Sequence, residues 1–355
     1  MTTKPTESST GSCGPWEPTA EPDLETLAQE GYEKWQRDLP SLIAVDTETT
    51  GFEFFDAPFC VTIAWGNSGG EISSGYFECG VADSLISEIL GTTPCCVFHN
   101  AKFDLQKLVL AGFLPRDHIQ VRGFEDTQIL SYLTDEHRRH GLKPLTRMFL
   151  GEETDEEEVL KVVRRKLKLR KDDGYHLLPR EVIVPYAIKD AEYTYRLFPV
   201  LFRQLSERND PELLGLYEME KELTLVLLDM ERAGVAVDLE YAVEAAKDYG
   251  TKAIATEMRI RDLTEDEEFN PQSNPQIREA FIARGIERDK YDKAVLSELD
   301  DPLAEAILSL RSIKKLHGTY LLPLLREQRD GVLHPNFRQT QTKTGRLASG
   351  GMEAV

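Results

Sequence analysis

Apolar residues along this chain follow two different spacings. Residues 41–46 (Ser-Leu-Ile-Ala-Val-Asp) run apolar almost without a break into an acid, which predicts a buried strand. Residues 59–65, 75–79 and 95–99 repeat the short apolar run and predict three further strands. Elsewhere the apolar positions recur every three or four residues. Residues 24–39, 81–90 (Leu85, Ile86, Ile89, Leu90) and 101–110 accordingly predict helices, the last two stopped by Gly91 and Gly112. Strands alternating with helices argue for a layered α/β domain. From Thr127 onward the helical spacing dominates, over 180–203, 212–232, 239–263 and 302–326. Breaks fall at the turn-rich residues 269–275 and at Asp330-Gly331, and the change of character is placed near residue 208.

The 355 residues are enough for two domains, and 41% hydrophobic with 29% charged residues describes a globular chain. No apolar run approaches the roughly 20 residues of a membrane span. The first 23 residues are rich in Pro, Ser, Thr and Gly, have no apolar centre, and predict a disordered leader rather than a secretory signal. Five cysteines without a C-x-x-C pair argue against a zinc site and fit a reducing, cytoplasmic setting. His99, His140 and His176 stand at no metal-ligating spacing.

A net charge of −20 disfavours nucleic acid as a partner of the whole surface, yet leaves room for one basic face. A nuclease that holds divalent cations also carries its own carboxylates. Residues 152–158 are acidic and 161–171 hold seven basic side chains, which reads as a solvated helix with its acids at the N-terminal end.

Three short segments carry candidate chemistry. Asp46 and Glu48 are two apart on a strand, so both carboxylates project from one face, where a divalent cation between them would relieve their repulsion. Asn100 is placed to cap the helix at 101–110, and Asp104 follows one turn later. Tyr186 and Asp190 share a helix face at i and i+4. Each segment alone also fits an ordinary structural role: a strand-end turn, a helix cap, a core tyrosine beside a solvated acid. Glu125-Asp126-Thr127 reads as another helix start, with an outer-shell role open to Asp126. No G-x-S-x-G or phosphate-loop motif is found.

Taken together, Asp46-Thr-Glu48, His99-Asn-Ala-Lys-Phe-Asp104 and Tyr186-Ala-Ile-Lys-Asp190 resemble the motifs of the DEDD family of 3′–5′ exonucleases, in the branch with tyrosine in the last motif. The resemblance implies a ribonuclease H-like fold, a mixed sheet flanked by helices, over about 39–208. It further implies that Asp46, Glu48, Asp104 and Asp190 hold two divalent ions, Mg²⁺ or Mn²⁺, while Tyr186 orients the attacking water. Thr49 and Asn100 become candidate contacts to the terminal nucleotide. Phe103 fits a base-stacking surface, though the core suits it better.

The second half resembles the start of the polymerase region of family A DNA polymerases. The match rests on residues 269–276 (Phe-Asn-Pro-Gln-Ser-Asn-Pro-Gln), 310–320 and 334–347, the last ending in Thr-Gly-Arg-Leu. It implies a mainly helical thumb over 209–330 and the start of a palm over 331–355. From Arg311 to Arg346 there are eight basic side chains against two acidic ones. Arg311, Lys315, Arg338 and Arg346 are therefore candidate phosphate contacts, an exposed solubilising surface being the plainer alternative.

The family's later palm and fingers motifs have no counterpart in these 355 residues. The expectation is a 3′–5′ exonuclease acting on single-stranded or frayed DNA 3′ ends, the proofreading part of a polymerase whose palm lies on a separate chain or is missing. A ribonuclease of the same carboxylate family and a non-catalytic DNA-binding subunit are the rival readings.

Overall fold

The computed structural model describes residues 21–51, 53–170 and 173–350. The expected leader lies outside the described residues up to position 20. In chain order, helix α1 (Leu24–Asp38) leads into strands β1 (Leu42–Thr49), β2 (Pro58–Gly66) and β3 (Ile72–Glu78). Helix α2 (Asp83–Thr92), strand β4 (Cys95–Phe98), helices α3 (Ala101–Leu110) and α4 (Arg116–Arg122) and strand β5 (Phe124–Asp126) follow. Helices α5 (Thr127–Thr134), α6 (Leu142–Leu150), α7 (Glu156–Lys166), the long α8 (Arg180–Ser206) and α9 (Pro211–Ala233) come next. The remainder holds β6 (Val235–Ala236), α10 (Leu239–Thr264), α11 (Asn274–Ala283), α12 (Lys293–Ser297) and α13 (Pro302–Lys314). A π-helical stretch (Lys315–Leu321) runs into α14 (Leu322–Glu327), and β7 (Val332–Leu333), β8 (Asn336–Arg338) and β9 (Ala348–Gly350) close the order.

Strands β1 to β5 make one mixed sheet in the order β3-β2-β1-β4-β5. β1 pairs antiparallel with β2 and parallel with β4, so it sits in the middle of the sheet. Its residues alternate as a central strand with one polar patch demands: Ile43, Ala44 and Val45 are buried, then Asp46 and Glu48 are half-buried while Thr47 between them is buried. The expected mixed α/β sheet is thus present. α4 and β5 were not foreseen, because seven and three residues are too short to show a period.

The apolar groups of the sheet fill two layers. Ile43, Val61, Ile63, Trp65 and Phe77 pack with α1, α2 and α3, whereas Phe59, Cys60 and Tyr76 pack with α7 and α8. A further cluster joins α5, α6, α8 and Tyr217 of α9.

The chain forms two compact units, Met1–Arg232 with Pro335–Val355, and Ala233–His334. This grouping follows contacts, whereas the expected segments 39–208 and 209–330 follow motifs. α9 goes with the first unit because its inner face is committed there: Tyr217 and Lys221 bond Glu125, Leu228 enters the sheet core, and Glu231 pairs with Lys102. Residues 336–342 also bond to this unit, Asn336 to Lys102, Phe337 to Glu231, Gln339 to Glu220 and Thr340 to Gln128.

The second unit is mainly helical. α11, α12 and α13 begin at capping side chains, Ser273, Asp292 and Asp301, and α10 begins at Asp238. Its core holds Ile260, Phe269, Ile277, Phe281, Tyr291 and Ile307, with the rings of Phe281 and Tyr291 stacked 4.9 Å apart.

Candidate active site

β1 presents Asp46 and Glu48 to the same face, as alternation along a strand requires. α8 crosses that face and brings Asp190 to them. The register helps: Thr62 of β2 stands opposite Asp46 and donates its hydroxyl to the carbonyl of Ala187 at 2.9 Å, fixing α8 between Tyr186 and Asp190. Asp46, Glu48 and Asp190 each place a carboxylate oxygen within 4.8 Å of the others, and they form the metal-competent cluster found among the described residues. The donor set is all oxygen and all anionic, which suits a hard divalent cation such as Mg²⁺ or Mn²⁺.

The carboxyls of the cluster are all shifted upward. Burial, then repulsion from Glu48 and Asp190, pushes the Asp46 carboxyl well above its usual range, and burial followed by Asp190 does the same to Glu48. Asp190 is raised to about 6 by burial, with Lys143 opposing. Nothing in the stability of the fold asks for three acids in this position.

Asp104 stands apart from that triad. It is buried on α3, and its Oδ1 accepts both the amide (2.9 Å) and the hydroxyl (2.7 Å) of Thr47. Its carboxyl is raised to about 7 by burial, with the Thr47 bonds opposing, and its charge is felt at both Asp46 and Glu48. Tyr186 shares the Asp190 face of α8. Burial and then Asp190 raise its phenol well above the ordinary value, so it stays protonated at any working pH.

The remaining candidates are less concentrated. Thr49 is buried and its hydroxyl goes to the Gly51 carbonyl at 2.6 Å. Asn100 occupies the position before α3 with φ of 70°, but its side chain makes no capping bond. Asp126 does that work instead: it accepts from the amides of Asn100 and Ala101 ahead of α3 and from Gln128 and Ile129 at the start of α5. Phe103 is half-buried with the Lys107 ammonium 5.5 Å from its ring centre. Arg338, which donates to Gln341, and the exposed Arg346 belong to the first unit. Arg311 and the exposed Lys315 belong to the second, where Arg311 bonds the Tyr291 carbonyl at 3.0 Å.

One residue at the site went unnoticed in the sequence. Lys143 of α6 is buried, bonds Asp190, and reaches Glu156 at 2.9 Å, with its ammonium 4.6 Å from the Tyr186 ring centre. Only the contact itself reveals it, since Leu142-Lys-Pro-Leu145 reads as an ordinary helix start.

With this geometry in place, the sequence pattern described as 3′–5′ exonuclease matches residues 19–206, slightly more than half of the chain. The chain belongs to the 3′–5′ exonuclease family of family A DNA polymerases. A second pattern, DNA polymerase family A, matches residues 239–351. The DNA polymerase I of Chloroflexus aurantiacus is 31% identical over 392 residues, covering 98% of this chain and 39% of the relative. That of Synechocystis sp. is 29% identical, covering 92% and 34%, and the DNA polymerase of Escherichia phage T5 is 30% identical, covering 72% and 33%. The chain therefore spans about a third to two fifths of these relatives. In fold it is similar to the polymerase domain of Pol1 from M. smegmatis, a complex with DNA primer-template and dNTP, with a TM-score of 0.67 at 20% identity over 93% of this chain and 54% of that one. No described helix is long and apolar enough to cross a membrane.

Proposed function

We propose that this chain is a divalent-metal-dependent 3′–5′ exonuclease that removes nucleoside monophosphates from DNA 3′ ends, and that it serves as the proofreading part of a family A polymerase. The observation that carries the proposal is the approach of Asp46, Glu48 and Asp190 to within 4.8 Å in a site where each carboxyl is raised by burial. Family membership over 19–206 supports the same reading.

Asp46, Glu48 and Asp190 would hold the first cation, and Asp104, fixed by Thr47, would help to hold a second. Bound Mg²⁺ or Mn²⁺ would supply positive charge to the scissile phosphate and acidify water at neutral pH. The protein's own part is positioning. Tyr186 keeps its proton and offers a hydroxyl beside Asp190 to orient the attacking water. Thr49, Asn100 and Phe103 would surround the terminal nucleotide, and Arg311, Lys315, Arg338 and Arg346 would meet backbone phosphates. The exonuclease domain is assigned to 39–208, the thumb to 209–330 and the palm start to 331–355, in the cytoplasm of a bacterial or phage-infected cell.

The test is release of nucleotides from 3′-labelled single-stranded and mismatched duplex DNA with Mg²⁺, with a chelator, and with an Asp46→Ala/Glu48→Ala variant. Metal-dependent release from the 3′ end, lost in the variant, is expected. Binding without release would leave the chain as a docking subunit, and preferential release from RNA would reassign the substrate.

A further inference from the structure

Lys143 puts a cation where the proposed function calls for a divalent one. Its ammonium bonds Asp190, a member of the carboxylate triad, and Glu156, which is not. The rings of Tyr186 and Tyr193, at 4.6 and 5.0 Å, add two π faces that stabilise a desolvated cation. A lysine in this setting is held by four groups, only one of which belongs to the candidate metal site.

We propose that Lys143 is a placeholder cation: it holds Asp190 while the site is empty of divalent metal, and it gives Asp190 up on loading by keeping the Glu156 carboxylate it already shares. Two arguments lead there. Three clustered carboxylates without a counter-charge would repel one another apart, which would spoil the site before an ion arrived. Conversely, a lysine bonded to Asp190 alone would have to be stripped into a buried space unpaired, a severe cost for a desolvated charge. Glu156, at the start of α7, removes that cost, because Lys143 already lies within hydrogen-bond distance of both acids. Lys143 is thus a positioning residue that sets metal affinity without being a ligand.

This inference rests on the proposed metal site, and a calorimetric titration of the full chain with Mn²⁺ separates the two. If the unaltered chain binds no Mn²⁺, the metal site itself fails and this inference with it. If it binds, Lys143→Met should bind Mn²⁺ about tenfold more tightly, the usual scale for groups surrounding a metal site. Its metal-free melting temperature should fall, while the metal-loaded proteins should melt closer together. Glu156→Gln should bind Mn²⁺ more weakly. Lys143→Met/Glu156→Gln should match Lys143→Met, because without the lysine there is nothing to hand over. Simple additivity in this cycle would reduce Lys143 and Glu156 to fixed charges and overturn the placeholder. Unchanged or weaker binding by Lys143→Met would overturn it as well.

Discussion

Asp104 reaches from α3 to accept both the amide and the hydroxyl of Thr47, the residue that separates Asp46 from Glu48. The fourth acid is therefore tied to the backbone of the strand that carries the first two. Thr47→Val keeps the shape and the amide bond but removes the hydroxyl donor. The Asp104 carboxyl should rise further, and activity at pH 6–7 should drop by about tenfold, as for other groups that orient metal-site carboxylates. A pH–rate profile on 3′-labelled DNA checks this; an unchanged acid limb would remove Asp104 from the machinery.

Stability of the metal-free protein should fall as pH rises. Asp104 and Asp190 are raised from 3.8 to about 7 and about 6. Raised carboxyls favour folding while protonated, so their contribution is full below about pH 4 and is lost through pH 6–7. Melting curves in chelator between pH 5 and pH 8 should show that decline, with Mg²⁺ reversing it and Asp104→Asn flattening it. A melting temperature that climbs with pH in chelator would contradict the assignment.

Amide replacements at the triad should separate activity from stability. Asp46→Asn and Glu48→Gln should each cut nucleotide release by at least about 100-fold, because a metal ligand is lost. In chelator both should melt above the unaltered chain, since one repelling charge is gone. Variants that lose both activity and metal-free stability would indicate a structural role for these acids.

Asp126 makes the opposite pattern. Its carboxylate satisfies four backbone amides at two helix starts, and caps cost about 1 kcal/mol each when removed. Asp126→Ala should therefore destabilise by roughly 2–4 kcal/mol in denaturant titrations, the buried amides adding to the two caps. Mn²⁺ affinity measured on the folded fraction should stay within a factor of a few; a selective loss of metal would make Asp126 part of the site.

Much of the molecule was legible in the order of its residues. β1, β2, β4 and α3 show unbroken or regularly spaced apolar runs, whereas Asp46, Glu48, Asp104, Tyr186 and Asp190 stand out only because their three motifs together resemble those of a known exonuclease family. What stayed hidden depends on packing between distant segments. Lys143 looks like a helix-surface lysine until α7 and α8 close over it. Asn100 has the right position for a cap, yet the bonds are made by Asp126 from 26 residues away in the chain. α9 has apolar residues on more than one face, and only the bonds of Tyr217, Lys221 and Glu231 reveal which unit it joins.

The chain leaves the first unit at Arg232 and returns to it at Pro335, so the helical unit is spliced into the exonuclease rather than appended to it. Its first and last strands are neighbours: Val235 pairs with Leu333 and Ala236 with Val332 in one antiparallel ladder, their Cα atoms about 5 Å apart. A ribosome emits the sequence in order. The partners of Lys102, Gln128 and Glu231 at Asn336, Phe337 and Thr340 thus emerge only after about a hundred residues of the other unit have been made. The polar contacts that residues 336–340 make with the first unit can therefore close only after residues 233–334 have been synthesised.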